Sequence, residues 1–162
     1  MTSVVLVLAA LLCSLVAGFL FAFAVVVMPG IARLNNREFI RSFQRIDGVI
    51  QGNQPLFMLV WLGSVIALIA AVIVSGEELG ESERWLLILA TVVYLAGVQF
   101  PTFAINVPLN NRLQSLNADV MDEAGLATAR QAFEGRWNRW NNIRTLLACL
   151  VSAVLIALAL RY

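Results

Sequence analysis

Four apolar runs divide this sequence, each close to the ~20 residues a helix needs to cross a bilayer. They are Ser3 to Met28, Leu56 to Ser75, Trp85 to about Val107, and Ile143 to Leu160. The first has no charged side chain, and the second opens with Pro55, a residue suited to the first turn of a helix. "AFA" at Ala22 to Ala24 mimics a signal cleavage site. The run nevertheless lacks a basic start, is too long for a signal core and stays apolar past the site, so it is predicted to be a retained span. Two polar segments keep a helical period of their own. "NREFIRSFQRIDGVIQ" spaces Phe39, Phe43, Ile46 and Ile50 along one face and Arg37, Arg41 and Arg45 along another. That pattern predicts a short interfacial helix with its apolar side down and its arginines near anionic headgroups, a solvated charge row without chemistry. "ADVMDEAGLATARQAFEGRW" carries Asp119, Asp122 and Glu123 near its start, where the helix dipole favours them. It reads as continuous with the fourth span; from Leu126 to Leu160 the helix would be roughly 50 Å long. The expected architecture is one all-α membrane domain over residues 1–162. It is a four-helix bundle with a short interfacial helix between spans one and two and an extended cytoplasmic helix leading into span four.

Composition agrees with this pattern. Apolar types make up 60% and charged types 13%, against about 25% charged in an ordinary soluble domain. The net charge of +1 implies no nucleic-acid partner. All cations are arginine, and nine lie between spans one and two or between three and four, counting Arg144 just inside the last span. Arg84 and Arg161 are on the other side with the acidic "GEELGESE" turn. The positive-inside rule therefore predicts cytoplasmic arginine segments and both termini outside. There is no histidine. Cys13 and Cys149 lie apart in apolar runs and read as buried small hydrophobes. No metal or haem site of ordinary ligation can be assembled from such a set, and no cofactor is expected.

Polar residues gather at one end of the spans. In "RWNRWNNIRTLLACLV", Arg130, Phe133, Trp137, Asn141 and Arg144 share one helical face, with Trp140 at its border. In "GVQFPTFAINVPLNNRL", Gln99, Phe103, Asn106 and Asn110 share another. Pro101 and Pro108 each remove a backbone N–H, so this helix is predicted to bend or break there. Gln51, Asn53 and Gln54 stand at the same end. An arginine within a span is a candidate functional group. The competing reading has amides gluing helices while Arg144 snorkels to the headgroups.

"NVPLN" at Asn106 to Asn110, "RWNRWNNIRT" opening the last span and "GFLFAFAVVVMPGIARL" closing the first together resemble the anthrone oxygenase family of small four-span membrane proteins. The resemblance covers nearly the whole chain. It implies O₂-dependent oxidation of an anthrone to an anthraquinone without an obvious cofactor. With its Lys-free composition, the chain reads as a bacterial inner-membrane protein in contact with lipid. On this resemblance Arg144 and Asn141 are the candidate catalytic residues. Asn106, Asn110, Trp137, Trp140 and Gln99 are the candidate substrate-binding residues, with Trp137 and Trp140 flanking a planar ring and Arg144, Asn141 and Asn106 stabilising its oxyanion. The base is missing from this set, Glu134 being the nearest carboxylate in sequence. Two other readings stand beside it. One is a non-catalytic module binding a quinone, lipid or polyketide. The other is an accessory subunit docking through the small-residue seam Gly63, Ala67 and Ala71.

Overall fold

A computed structural model describes residues 1–75 and 78–162, so Gly76 and Glu77 of the acidic turn lie outside the described residues. Among the described residues the chain forms five helices and no strand: α1 (Thr2–Ile31), α2 (Asn36–Gln51), α3 (Pro55–Val74), α4 (Glu81–Gln114) and α5 (Glu123–Ala159). Four of these, all but α2, are long and apolar enough to cross a membrane. The protein is an integral membrane helix bundle.

The helix ends follow local chemistry. The side-chain oxygen of Asn35 accepts from the Glu38 N–H at 2.9 Å to start α2, and Asp122 does the same for Gly125 at 2.9 Å to start α5. Pro55 occupies the first turn of α3, and Gln54 caps it. α5 is unbroken over 37 residues, about 55 Å at 1.5 Å per residue. It exceeds the ~30 Å hydrocarbon core by several turns, as expected of an extended helix leading into the last span.

The fourth helix is continuous through its prolines. Pro101 and Pro108 do not break it; two π-helical stretches, Leu95–Gln99 and Thr102–Asn106, lie just ahead of them. The Phe100 N–H bonds to the Leu95 carbonyl and the Val107 N–H to the Thr102 carbonyl, i→i−5 bonds that widen the turn where a proline leaves carbonyls free. The Thr102 hydroxyl donates to the Val98 carbonyl at 2.7 Å, satisfying another backbone group.

Within the membrane, α1 packs on α5 and α3, and α4 packs on α5 and α3 to close the bundle. The buried residues of α1, Leu6, Ala9, Ala10, Cys13, Val16, Ala17 and Leu20, recur every three or four positions, and their small members let helices approach closely. Ala67 and Ala71 are buried on α3, and a Cβ on Gly63 would lie 3.3 Å from Leu12 of α1. The small-residue seam is therefore taken up by α1 rather than left for a partner. The outer faces are Leu, Val and Ile: Val4, Leu11 and Leu15 on α1, and Leu59, Ile66 and Ile73 on α3. Cys13 is buried as expected, whereas Cys149 is exposed on the flank of α5; its neighbour Ala148 holds the inward position.

A second core lies at the arginine-rich end. The apolar row of α2 packs inward, with Phe39, Ile40 and Phe43 buried against Phe133 and Trp137 of α5. Two arginines expected at headgroups are engaged within the chain. Arg37 donates to the carbonyls of Ala118 and Met121 and pairs with Glu123, and Arg41 pairs with Asp119. Arg130 donates to the Ala32 and Leu34 carbonyls at 2.8 and 2.9 Å, closing the end of α1, and its guanidinium lies 4.4 Å over the Phe39 ring. Gln44 holds the end of α4 through the Leu113 and Leu116 carbonyls.

Candidate functional site

Between these two cores lies a cavity of about 410 Å³ bounded by α1, α3, α4, α5 and the end of α2. Most of its wall is apolar: Phe19, Phe23, Phe57, Trp61, Phe103 and Trp137 supply rings, and Leu20, Ile50, Met58, Leu62 and Val107 fill in. Its polar groups are few: Asp47, Asn53, Thr102, Asn106, Asn110, Asn141 and Arg144. An apolar chamber of this size with a few placed polar groups is how a small-molecule site is built. Asn53, at the turn into α3, has φ 57, a left-handed conformation that asparagine tolerates better than most residues.

Arg144 is 3% exposed and turned inward rather than to the headgroups. One η nitrogen donates to the Thr102 hydroxyl at 2.8 Å and the other to the Asn141 side-chain oxygen at 3.0 Å. Asn141 is fixed in turn by donating to the Leu20 carbonyl of α1 at 3.1 Å. Among the described residues no carboxylate lies within salt-bridge distance of Arg144, and its Nε–H has no partner. A buried cation held only by neutral groups, with a donor unspent, is complementary to an anionic or carbonyl oxygen. The Asn106 side-chain oxygen is also buried without a partner, while its amide donates to the Trp137 carbonyl at 3.4 Å.

Trp137 is held by Phe43 and Phe23, with ring centroids 5.6 and 5.7 Å away, and donates from Nε1 to Asn110 at 2.7 Å. The second tryptophan of the cavity is Trp61 on α3, stacked on Phe57 at 5.3 Å. Its indole N–H donates to Gln99 at 2.9 Å, and Gln99, though buried, sits behind it and does not line the cavity. Trp140 is half-buried and outside the cavity, because three residues on from Trp137 the helix has turned it to the flank. The structure thus brings together Arg144, Asn141, Asn106, Asn110 and Trp137 and leaves Trp140 and Gln99 apart. Glu134 is also outside, paired with Arg130 at 2.7 Å.

Asp47, Trp61 and Thr102 are among the lining residues that sequence reasoning did not single out. Trp61 lies in an apolar span and has no polar neighbour to mark it. Asp47 did leave a signal: it follows Phe39 and Phe43 at i+4 spacing, an acid where the buried face of α2 calls for an apolar residue. It is 2% exposed. Its Oδ1 accepts from Asn110 at 2.7 Å, and its Oδ2 from Gln51 at 2.7 Å and Gln114 at 2.9 Å.

A family model described as anthrone oxygenase matches residues 51–155, well over half of the chain. The matched stretch contains Trp61, Asn106, Asn110, Trp137, Asn141 and Arg144, and begins just after Asp47, which it does not include. No curated protein and no solved structure matches the chain.

Proposed function

Because the chain belongs to the anthrone oxygenase family, we propose that this cavity binds a planar phenolic tricycle of the anthrone type and promotes its oxidation by O₂ to the quinone. The observation that carries the proposal is Arg144: a guanidinium buried in an apolar chamber, without a carboxylate partner and with Nε–H unspent. Anthrone carries a methylene opposite its carbonyl, and losing a methylene proton moves the charge onto that oxygen. Arg144, with Asn141 orienting it, meets the oxygen where the charge develops, and such electrostatic stabilisation contributes most where water is excluded. Trp137 and Trp61 offer faces to a flat ring, and Asn106 and Asn110 offer amides along its edge. The delocalised anion gives an electron to O₂, the resulting radical and superoxide combine to a hydroperoxide, and loss of water leaves the quinone. One anthrone and one O₂ give one quinone and one water, so the balance closes without a further reductant.

The arginine distribution supports a location in the cell membrane with the cavity toward the cytoplasm and both termini outside. An apolar ligand then reaches the cavity from lipid or from the cytoplasmic face. The test is direct. The protein purified in mild detergent is mixed with 1,8-dihydroxyanthrone, and O₂ uptake and quinone absorbance are followed against spontaneous oxidation. Quinone formation well above that background, lost in Arg144→Leu, supports the oxygenase. Binding without O₂ uptake would make the protein a non-catalytic quinone-binding module instead.

A further inference from the structure

We propose that Asp47 is the proton acceptor of this site, the carboxylate that takes the methylene hydrogen from a ring held by Arg144. This inference rests on the reading of the cavity as an anthrone site and supplies the base which that reading lacks. A carboxylate buried on the apolar face of α2 has no packing reason to be there, since burial of a charge is costly unless it is satisfied. No cation pairs with it among the described residues. Three side-chain amides do the work instead, one on Oδ1 and two on Oδ2.

Two of those amides have their orientation dictated from behind. The Trp137 indole can only donate, so the Asn110 oxygen faces it and the Asn110 NH₂ is left to face Asp47. The Gln44 carbonyl can only accept, so the Gln114 NH₂ serves both that carbonyl at 2.9 Å and Asp47. The surroundings are thus built for an acceptor-only, ionised carboxylate. Such a group has about four acceptor sites. Three are filled, and the fourth is on Oδ1, the oxygen with a single partner, of a residue that lines the cavity.

The charges around it are simple. Its partners on α2 and α4 are neutral, α5 faces the cavity with Trp137, Asn141 and Arg144, and α1 and α3 bring only apolar side chains. Arg41 and Arg45, on the same helix, face a separate exposed cleft with Asp119. Arg144 is therefore the one other charged residue lining the cavity among the described residues, and it does not touch Asp47. A base and an oxyanion holder that share a chamber without neutralising each other can act on one ring from two sides. In the step itself the methylene C–H bond breaks and an O–H bond forms on Asp47. The electron pair delocalises to the ring oxygen at Arg144. After electron transfer to O₂ and recombination, the peroxide takes that proton back to become the hydroperoxide, which leaves water and quinone.

The experiment uses 1,8-dihydroxyanthrone, its methylene-dideuterated form, and 1,8-dihydroxyanthraquinone as a binding probe read by quenching of tryptophan fluorescence. Asp47→Asn should oxidise the anthrone about 100-fold or more slowly at neutral pH, with quinone affinity nearly unchanged. At a pH where the anthrone ionises in solution, the missing base is bypassed and the variant should climb back toward wild type. The wild-type single-turnover rate should fall with the deuterated probe. Oxidation by Asp47→Asn at the wild-type rate overturns the inference, as does loss of quinone binding together with activity that alkali does not restore. If the variant does not fold, the wild-type isotope effect decides, and its absence in a single turnover rejects Asp47. A wild-type protein that neither binds the quinone nor consumes O₂ sinks the reading of the cavity itself, and this inference with it.

Discussion

Replacing Arg144 by leucine should abolish turnover while leaving the protein as stable as before, or more so. The structure sets the terms. Two hydrogen bonds are lost, to Thr102 and to Asn141. Thr102 still donates to the Val98 carbonyl, so its hydroxyl is not stranded. Asn141 still donates to the Leu20 carbonyl, but its side-chain oxygen is left bare, at a cost of about 1–3 kcal/mol. Against this stands the relief of a desolvated cation with no counter-charge. Even a complete buried ion pair can be replaced by apolar residues with no loss or a gain of about 1–4 kcal/mol, and a cation without its counter-charge is the costlier group to keep buried. The two nearly cancel or favour leucine. Function has no such compensation: each hydrogen bond from a charged donor to the ligand oxygen contributes about 1.5–3 kcal/mol, roughly 10- to 150-fold in turnover. Arg144→Lys should behave the opposite way. It keeps the buried charge, loses the planar fork that reaches Thr102 and Asn141 together, and should therefore be less stable than leucine and still impaired. Thermal unfolding in detergent and retention of 1,8-dihydroxyanthraquinone measure both quantities. If lysine is silent in both assays while leucine only lowers the melting temperature, Arg144 is an interfacial anchor and the site loses its central residue.

Three further expectations can be checked independently. Membrane-impermeant thiol labelling should reach Glu81→Cys from outside and Arg41→Cys and Ala124→Cys only from the cytoplasm, all three positions being exposed; the reverse pattern inverts the topology. Arg130→Ala removes two bonds to the carbonyls that end α1 and a cation over Phe39, and should cost about 3 kcal/mol in denaturant unfolding. Gly97→Val should cost about 1–3 kcal/mol by overpacking, because even a Cβ there would lie 2.5 Å from Leu147 Cδ1. Adding Leu147→Ala should recover part of that loss, whereas strictly additive costs would place the strain elsewhere.

The elements of this protein were legible because each depends on nearby residues. Span length, the acidic start of α5 at Asp122 and Glu123 and the continuity of α5 into the last span follow from the apolar pattern and from side chains within one turn of where they act. The shared face of Trp137, Asn141 and Arg144 was equally readable, since a regular α-helix keeps its 3.6-residue phase. Phase is also why the stripe on α4 misled. Between Gln99 and Asn106 the chain passes through the π-helical stretch Thr102–Asn106, which adds a residue to the turn. Asn106 reaches the cavity, and Gln99 ends behind Trp61. Which helix faces which was beyond any local pattern. Trp140 stands among polar residues and Trp61 within an apolar span, yet the packing of α3 and α5 puts Trp61 in the cavity and Trp140 on the flank. Asp47 shows the same limit most plainly. Its position on the apolar row of α2 could be read from the sequence, but its burial depends on α2 folding onto α5 and on amides from α4, Asn110 and Gln114, more than sixty residues away. A charge so placed survives only when distant donors converge on it, and their convergence is a property of the tertiary fold.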